Sequence, residues 1–512
     1  MKKRKLFKLL TSKFLLVCFL LLFELALIPT IIILLTMSLP YSTYVISSLV
    51  FFVIDAIAAV FIINSNMNAE YKIAWLVPVL LLPPVGIVLY VMLRRHKLPR
   101  RKRTKFSAKF ESAKCLYVSD PLTQTTDIDD DFVRHCIQFV TKQTGMPASD
   151  CTEYKYFSCG EEYAKNLLLE LNKAQRYIFL EYFVIEPGKF FDKVIEILRA
   201  KAKDGVDVRL IYDDIGSMLK VPSNYAEHLE KEGIKCMCFN PFRPVVDIAQ
   251  NNRTHRKIAV IDGKTAFTGG INLADEYVNE THPFGHWKDT GILLRGRIVQ
   301  NFTTMFLQLW ALRDEEENYS QYLTDCEKGK FSCIAFSDAP FEDDDENVCE
   351  NLYLKLIYNA KKYVYINTPY LILDGEMRRA LITAAHSGVD VRITVPHIPD
   401  KKYVFAVTKA FYSELVKEGI RIYRYTPGFL HAKSIVSDDK YCIIGSTNMD
   451  FRSFYMHFEC DVMFYDQNVS IDLRNDYLET CAISHEVTNL EIKARLHSLI
   501  YRAILRVFAP LM

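Results

Sequence analysis

The sequence predicts an α/β protein in which N-terminal transmembrane helices precede a unit of alternating strands and helices that is written twice. Three observations carry this. Long apolar runs occupy the first hundred residues, short peptides recur in order in the two later halves, and one pattern of histidine, lysine, aspartate, glycine and asparagine occurs twice with one spacing. The chain has 512 residues, half of them apolar and 24 % charged, which excludes wholesale disorder. Its 63 lysines and arginines against 61 acids leave a net charge of +2, without the basic surplus of a nucleic-acid binder. Its 13 cysteines include no CxxC, and the nearest two are Cys236 and Cys238. An odd, scattered set fits reduced thiols buried as small hydrophobes on the cytoplasmic side, not a disulfide framework or a zinc ribbon.

The elements follow in chain order. Residues 14–37 are apolar apart from Glu24 and at ~1.5 Å per residue reach about 36 Å, enough for a ~30 Å hydrocarbon core. Residues 44–63 form a second run, with Asp55, and residues 73–93 a third, with Pro83 and Pro84 in its middle. Glu24 and Asp55 are expected to pair or to face the catalytic part. Basic clusters flank the set: Lys2, Lys3, Arg4, Lys5, Lys8 and Lys13 before it, and Arg94, Arg95, Lys97, Arg100, Arg101, Lys102, Arg103 and Lys105 after it. Positive charge prefers the cytoplasmic side, so two cytoplasmic clusters demand an even number of crossings. A third run broken at Pro83-Pro84 into a re-entrant or interfacial hairpin satisfies this, and is preferred to three true crossings. The basic segment then lies against anionic headgroups.

Beyond residue 105 the pattern is that of strands and helices covering a sheet on both faces. Gly205-Val206-Asp207-Val208-Arg209 returns as Gly388-Val389-Asp390-Val391-Arg392, and Lys231-Glu232-Gly233-Ile234 as Lys417-Glu418-Gly419-Ile420. So long a repeat means a duplicated domain rather than a solenoid. The expected division is a membrane anchor at 1–105, one domain at 106–335 and a second at 336–512, with the acidic stretch 342–346 as a solvated linker. At the end, Leu496, Ile500, Ile504 and Phe508 form an apolar stripe that suits a membrane surface or an ordinary packed helix.

The chemistry is also written twice. His255, Lys257 and Asp262 are followed by Gly269-Gly270-Ile271-Asn272; His431, Lys433 and Asp438 are followed by Gly445-Ser446-Thr447-Asn448. Histidine and lysine two apart on a strand share a face. A turn at Asp262-Gly263 or Asp438-Asp439 then brings the glycine-to-asparagine segment back beside them. Imidazole is a nucleophile at neutral pH, a second imidazole can protonate a leaving oxygen, and lysine and asparagine donate to phosphate oxygens. No metal-ligand cluster is visible, and the chemistry requires neither metal nor cofactor.

With these motifs the chain resembles the phospholipase D superfamily, and within it the bacterial cardiolipin synthases. The likeness includes Asn251-Asn252-Arg253, the segments 267–277 and 284–289, Pro427–Lys433 and Asn448–Phe454. Gly270 stands where the superfamily more often has serine. The resemblance implies two tandem phospholipase-D-like domains, each a mixed sheet flanked by helices, related by a pseudo-twofold axis. It implies phosphatidyl transfer between two phosphatidylglycerol molecules, with His255 as nucleophile and His431 as acid and base. Lys257, Lys433, Asn272, Asn448 and Ser446 would hold or orient the phosphate, while Asp289 and Glu459, at matching places after the motifs, would orient the imidazoles. Asp262 and Asp438 belong to the motif but, at turns, suit loop stabilisation. The implied setting is the bacterial inner membrane, multi-pass, with cytoplasmic catalytic domains, an anionic lipid partner and no nucleic acid. The nearest rival is a hydrolytic phospholipase D; a nucleic-acid phosphodiesterase and an inactive scaffold fit less well.

Overall fold

The repeated pentapeptide folds alike in its two places. Gly205 and Gly388, at φ +86° and +88°, turn the chain out of the helices Lys189–Lys203 and Gly375–His386, a backbone region that favours glycine. Asp207 and Asp390 then each hold the arginine two residues on, at 2.7 and 2.6 Å. Arg209 lies over Phe179, Trp310 and Tyr322, and Arg392 over Tyr365.

The computed structural model describes residues 40–82, 85–93, 100–114, 128–242, 248–313, 318–326, 329–339, 347–488, 491 and 496–511, with positions 26, 30, 33, 34 and 37. One compact unit comprises residues 99–240 and 253–506; another comprises 1–98, 241–252 and 507–512.

The larger unit holds two sheets with one strand order. In the first it is Glu153–Phe157, Gly291–Arg295, Thr265–Gly269, Ile258–Ile261, Tyr177–Tyr182, Asp207–Asp213, Lys235–Phe239. In the second it is Phe331–Asp338, Glu459–Phe464, Tyr441–Gly445, Ser434–Ser437, Tyr363–Asn367, Asp390–Pro396, Arg421–Tyr425. The last three strands of each series are parallel and the others antiparallel, so both sheets are mixed. Helices Lys189–Lys203 and Gly375–His386 make the parallel crossovers. Their apolar faces, Phe191, Val194 and Leu198 in one and Met377, Leu381 and Ala384 in the other, are buried.

Two short strands, Ser149–Cys151 and Ser484–Glu486, complete the edges of the second sheet. The boundary expected at 335/336 falls inside Phe331–Asp338, which pairs with Glu459–Phe464 from Cys333 to Asp338. Ser149–Cys151, from the first half of the chain, pairs with the same strand. Sheet hydrogen bonding knits the halves into one unit. The acidic stretch 342–346 lies outside the described residues. The described cysteines are all free.

In the smaller unit the helix Tyr41–Ile63 contains the one stretch among the described residues, Val45–Ile63, that is long and apolar enough to cross a membrane. Ile46, Phe52 and Phe61 point outward, while Asp55 is buried with no hydrogen-bond partner for either oxygen among the described residues. Glu24, its expected partner, and most of the run 14–37 lie outside them. The third run is two helices, Ala69–Leu81 and Val85–Leu93. At ~1.5 Å per residue they reach about 20 and about 14 Å, each short of a ~30 Å core. They fold back on one another: Trp75 meets Tyr90 edge-on at 5.7 Å, and a Cβ on Gly86 would lie 2.0 Å from the Pro78 carbonyl oxygen. The two helices form a helical hairpin. Ala509, at the C-terminal end of the chain, is buried.

Of the basic segment, residues 94–99 lie outside the described set, and Arg100–Ala113 is a helix. Its last turns belong to the larger unit, where Lys109 Nζ donates to the Ala311 carbonyl at 2.8 Å and Phe110 lies 6.3 Å from Phe458. Near the C-terminus, Arg506 bonds Glu414 at 3.0 Å and covers Phe411, while Ile504 of the expected stripe stays exposed.

Candidate active site

Each histidine stands in the extended segment that leads into a strand. The strands begin at Ile258 and Ser434, after the lysines, and not at the histidines as the alternation implied. The reason is where the backbone bonds go. His255 N–H donates to the Phe458 carbonyl at 2.9 Å, and His431 N–H to the Lys288 carbonyl at 2.7 Å. Gly428–Leu430 accordingly runs parallel to His286–Lys288. Each motif thus pairs with the other half of the chain, just ahead of that half's carboxylate.

The carboxylates are exchanged in consequence. His431 Nδ1 lies 2.7 Å from Asp289 Oδ2, and His255 Nδ1 lies 2.9 and 3.0 Å from the two oxygens of Glu459. The matching places read from the sequence are equivalent in register, because Gly269 faces Gly291 and Gly445 faces Asp461, two residues past each carboxylate. Both histidines are 6 % exposed, and Lys257, Lys433, Asp289 and Glu459 are fully buried. Each lysine ammonium donates to the carbonyl of its own histidine.

The departure at Gly270 has a steric cause. A Cβ there would lie 2.0 Å from Asp289 Oδ1. In the second half Ser446 occupies the corresponding place, and its hydroxyl donates to Glu459 Oε2 at 2.5 Å. Glycine leaves room for the aspartate; serine tethers the glutamate.

Burial sets the charges. It lowers His255 well below the ordinary imidazole range and His431 to about 4, in each case helped by the neighbouring lysine. It lowers Lys257 to about 8 and Lys433 to about 7, the latter also through Lys257. The same burial works to raise Asp289 and Glu459, but the facing imidazoles and lysines outweigh it and hold both below the usual carboxylate range. Neutral imidazole against carboxylate means that Nδ1–H donates, leaving the Nε2 lone pair for reaction.

The asparagines are partly committed. Asn272 Oδ1 accepts from Val184 N–H at 3.0 Å, and its Nδ2, like Asn448 Oδ1, is buried without a hydrogen-bond partner among the described residues. Asp262 and Asp438 have structural uses. Both sit at φ +56° in the expected turns. Asp262 accepts from the amides of Gln175, Arg176 and Tyr177 at 2.7–3.0 Å, and Asp438 from those of Lys361, Lys362 and Tyr363 at 2.7–3.0 Å.

Sequence reading missed His457 and gave Trp287 no role. Each stands two residues before a carboxylate. Trp287 lies 5.2 Å from the His431 ring and donates to Asp289 at 3.4 Å; His457 lies 5.5 Å from the His255 ring. Superposing the halves on Asp289 and Glu459 would have found both. One expectation needs correction: a potential ligand cluster does exist, since donor atoms of His255, His457 and Glu459 lie within 4.8 Å of one another. Sequence separation hides it, with His255 some two hundred residues from its partners.

A family model described as cardiolipin synthase, PLD-like domain, matches residues 167–310 and 353–480, and one described as phospholipase D-nuclease N-terminal matches 53–95. A cardiolipin synthase of Geobacillus kaustophilus is 34 % identical over 81 % of this chain and 83 % of its own. An uncharacterized protein of Streptococcus mutans is 37 % identical over 89 % of this chain and 99 % of its own. The fold is that of a phosphatidylserine synthase from Haemophilus influenzae, with TM-score 0.57 over 74 % of this chain and 98 % of that one at 14 % identity. Paired motifs, crossed carboxylates and matched relatives agree, and the chain belongs to the cardiolipin synthase family of phospholipase-D-like proteins.

Proposed function

We propose that the protein is a cardiolipin synthase that moves a phosphatidyl group between two phosphatidylglycerol molecules through a phosphohistidine. The observation that carries this reading is the pair of buried histidines, each held at Nδ1 by a carboxylate of the opposite half. His255 Nε2 attacks phosphorus, the bond to the departing glycerol oxygen breaks, and His431 supplies that oxygen with its proton. His431 then takes the proton from the hydroxyl of a second phosphatidylglycerol, whose oxygen displaces His255 and yields cardiolipin. Burial holds His431 at about 4; a phosphodiester's negative charge acts in the opposite direction and favours the imidazolium that the first step uses. Lys257 and Lys433 meet the non-bridging oxygens, and the amide of Asn272 adds a donor.

The reading includes a membrane setting. Both basic clusters and the catalytic unit are placed in the cytoplasm, the loop at 38–42 outside, and the basic segment 94–105 against anionic lipid. Purified protein with labelled phosphatidylglycerol tests the reaction: cardiolipin plus glycerol is the expected product, whereas phosphatidic acid means hydrolysis and no product overturns the assignment.

A further inference from the structure

We infer that His255, His457 and Glu459 also form a binding site for a divalent transition-metal ion of the zinc class, and that the ion switches the enzyme off. The inhibition rests on the function proposed above; the binding site does not.

Two imidazoles and one carboxylate are the ligand set of many zinc sites that keep a fourth position open. Here their donor atoms already lie within 4.8 Å of one another. His457 supplies the independent sign. It is 9 % exposed, and its Nδ1 is buried with no hydrogen-bond partner among the described residues. That nitrogen faces Glu459 Oε1 across 3.8 Å, too far for a hydrogen bond. Two bonds of ~2.0–2.2 Å to one tetrahedral ion place their donor atoms about 3.4 Å apart, so the His457–Glu459 pair closes by about 0.4 Å and the widest pair of the three by at most about 1.4 Å. The surroundings hold the set in place. Ser446 tethers the second oxygen of Glu459 at 2.5 Å, and the backbone N–H of His457 is anchored on the Arg452 carbonyl at 2.9 Å. A hydrogen bond to a ligating carboxylate, such as the one from Ser446, orients a metal ligand. The other half lacks the site: Trp287 stands in the corresponding place, and an indole N–H is a donor only.

Coordination removes the nucleophile whichever ring nitrogen of His255 binds. An ion on Nε2 consumes the lone pair that would attack phosphorus. An ion on Nδ1 displaces the proton shared with Glu459, and that proton moves to Nε2, where it occupies the lone pair that would attack phosphorus.

The test uses full-length protein in detergent with Zn²⁺ as the sole added ion. Zn²⁺ should inhibit cardiolipin formation, EDTA should reverse it, and EDTA alone should not lower turnover. His457→Asn and His457→Gln should each raise the half-inhibitory Zn²⁺ concentration at least about tenfold, the lower bound even for loss of an outer partner. Independently of turnover, Co²⁺ should bind at one equivalent with the strong visible bands of a four-coordinate site, and the variants should lose them. Equal Zn²⁺ sensitivity in wild type and variants, or Co²⁺ bands that survive without His457, overturns the proposal. A readout needing no variant is protection of His457 from diethyl pyrocarbonate by Zn²⁺, mapped by mass spectrometry; unprotected modification also overturns it. A protein that makes no cardiolipin yet shows the His457-dependent Co²⁺ signal refutes the function and keeps the metal site.

Discussion

At the scale of single residues, burial decides what the two imidazoles can do. Each is neutral, oriented at Nδ1 and surrounded by apolar rings: Phe183 at 5.2 Å from His255, and Tyr277 at 5.3 Å from His431. Groups that act as one unit lose nearly everything when one member goes. His255→Ala and His431→Ala should therefore each abolish transfer while the protein remains folded, and a tenth of wild-type activity in either contradicts the two-histidine mechanism. A pH dependence follows from the same burial. Unfolded imidazole titrates near 6.5, whereas folded His431 titrates at about 4. Between those values the unfolded chain holds a proton that the folded protein refuses. This part of the stability is full above about pH 6.5 and falls as pH drops toward 4. The thermal midpoint of wild type should fall more steeply across that window than that of His431→Gln; equal slopes contradict the assignment. The motif histidines and lysines were legible because they recur with one spacing. His457 was not, because its counterpart in the first half is Trp287, and only alignment on the two carboxylates brings the pair together.

Among the elements, the turns after the motif strands show how a site is aimed without touching substrate. Asp262 and Asp438 each gather three backbone amides at the start of a neighbouring strand, which fixes the strand that follows the histidine against the one beside it. Removing Asp262 leaves the buried Tyr177 amide without this acceptor, at about 1–3 kcal/mol. Asp262→Ala should lower stability by about that amount, while activity per folded molecule stays within a few-fold of wild type. Denaturant melts paired with active-site titration measure both, and a folded but inactive variant would return Asp262 to the chemistry. The turn was visible in the sequence; its three amide partners were not, since they lie some eighty residues away.

Over the whole molecule, the hairpin of the third apolar run bears on which side of the membrane the catalytic unit occupies. Neither Ala69–Leu81 nor Val85–Leu93 is long enough alone to span a ~30 Å core, and the proposed cytoplasmic catalytic unit requires an even number of crossings. A cysteine placed at position 40 should react with an impermeant reagent in intact cells, and cysteines near position 100 only after lysis. External labelling near 100 would mean three crossings. Neutralising the basic residues at 100–103 should reduce activity on anionic vesicles more at low salt than at high salt, where screening already removes the attraction.

The sequence by itself determined the duplication, the two motifs, the matching carboxylates and the apolar runs, because each is a local pattern or its literal repeat. Only the tertiary structure decided which carboxylate serves which histidine, that Phe331–Asp338 ties the two halves together, and that His457 stands beside His255. Those facts depend on backbone hydrogen bonds between segments more than a hundred residues apart. A one-dimensional pattern states which residues are alike; the pairing of strands states which of them meet.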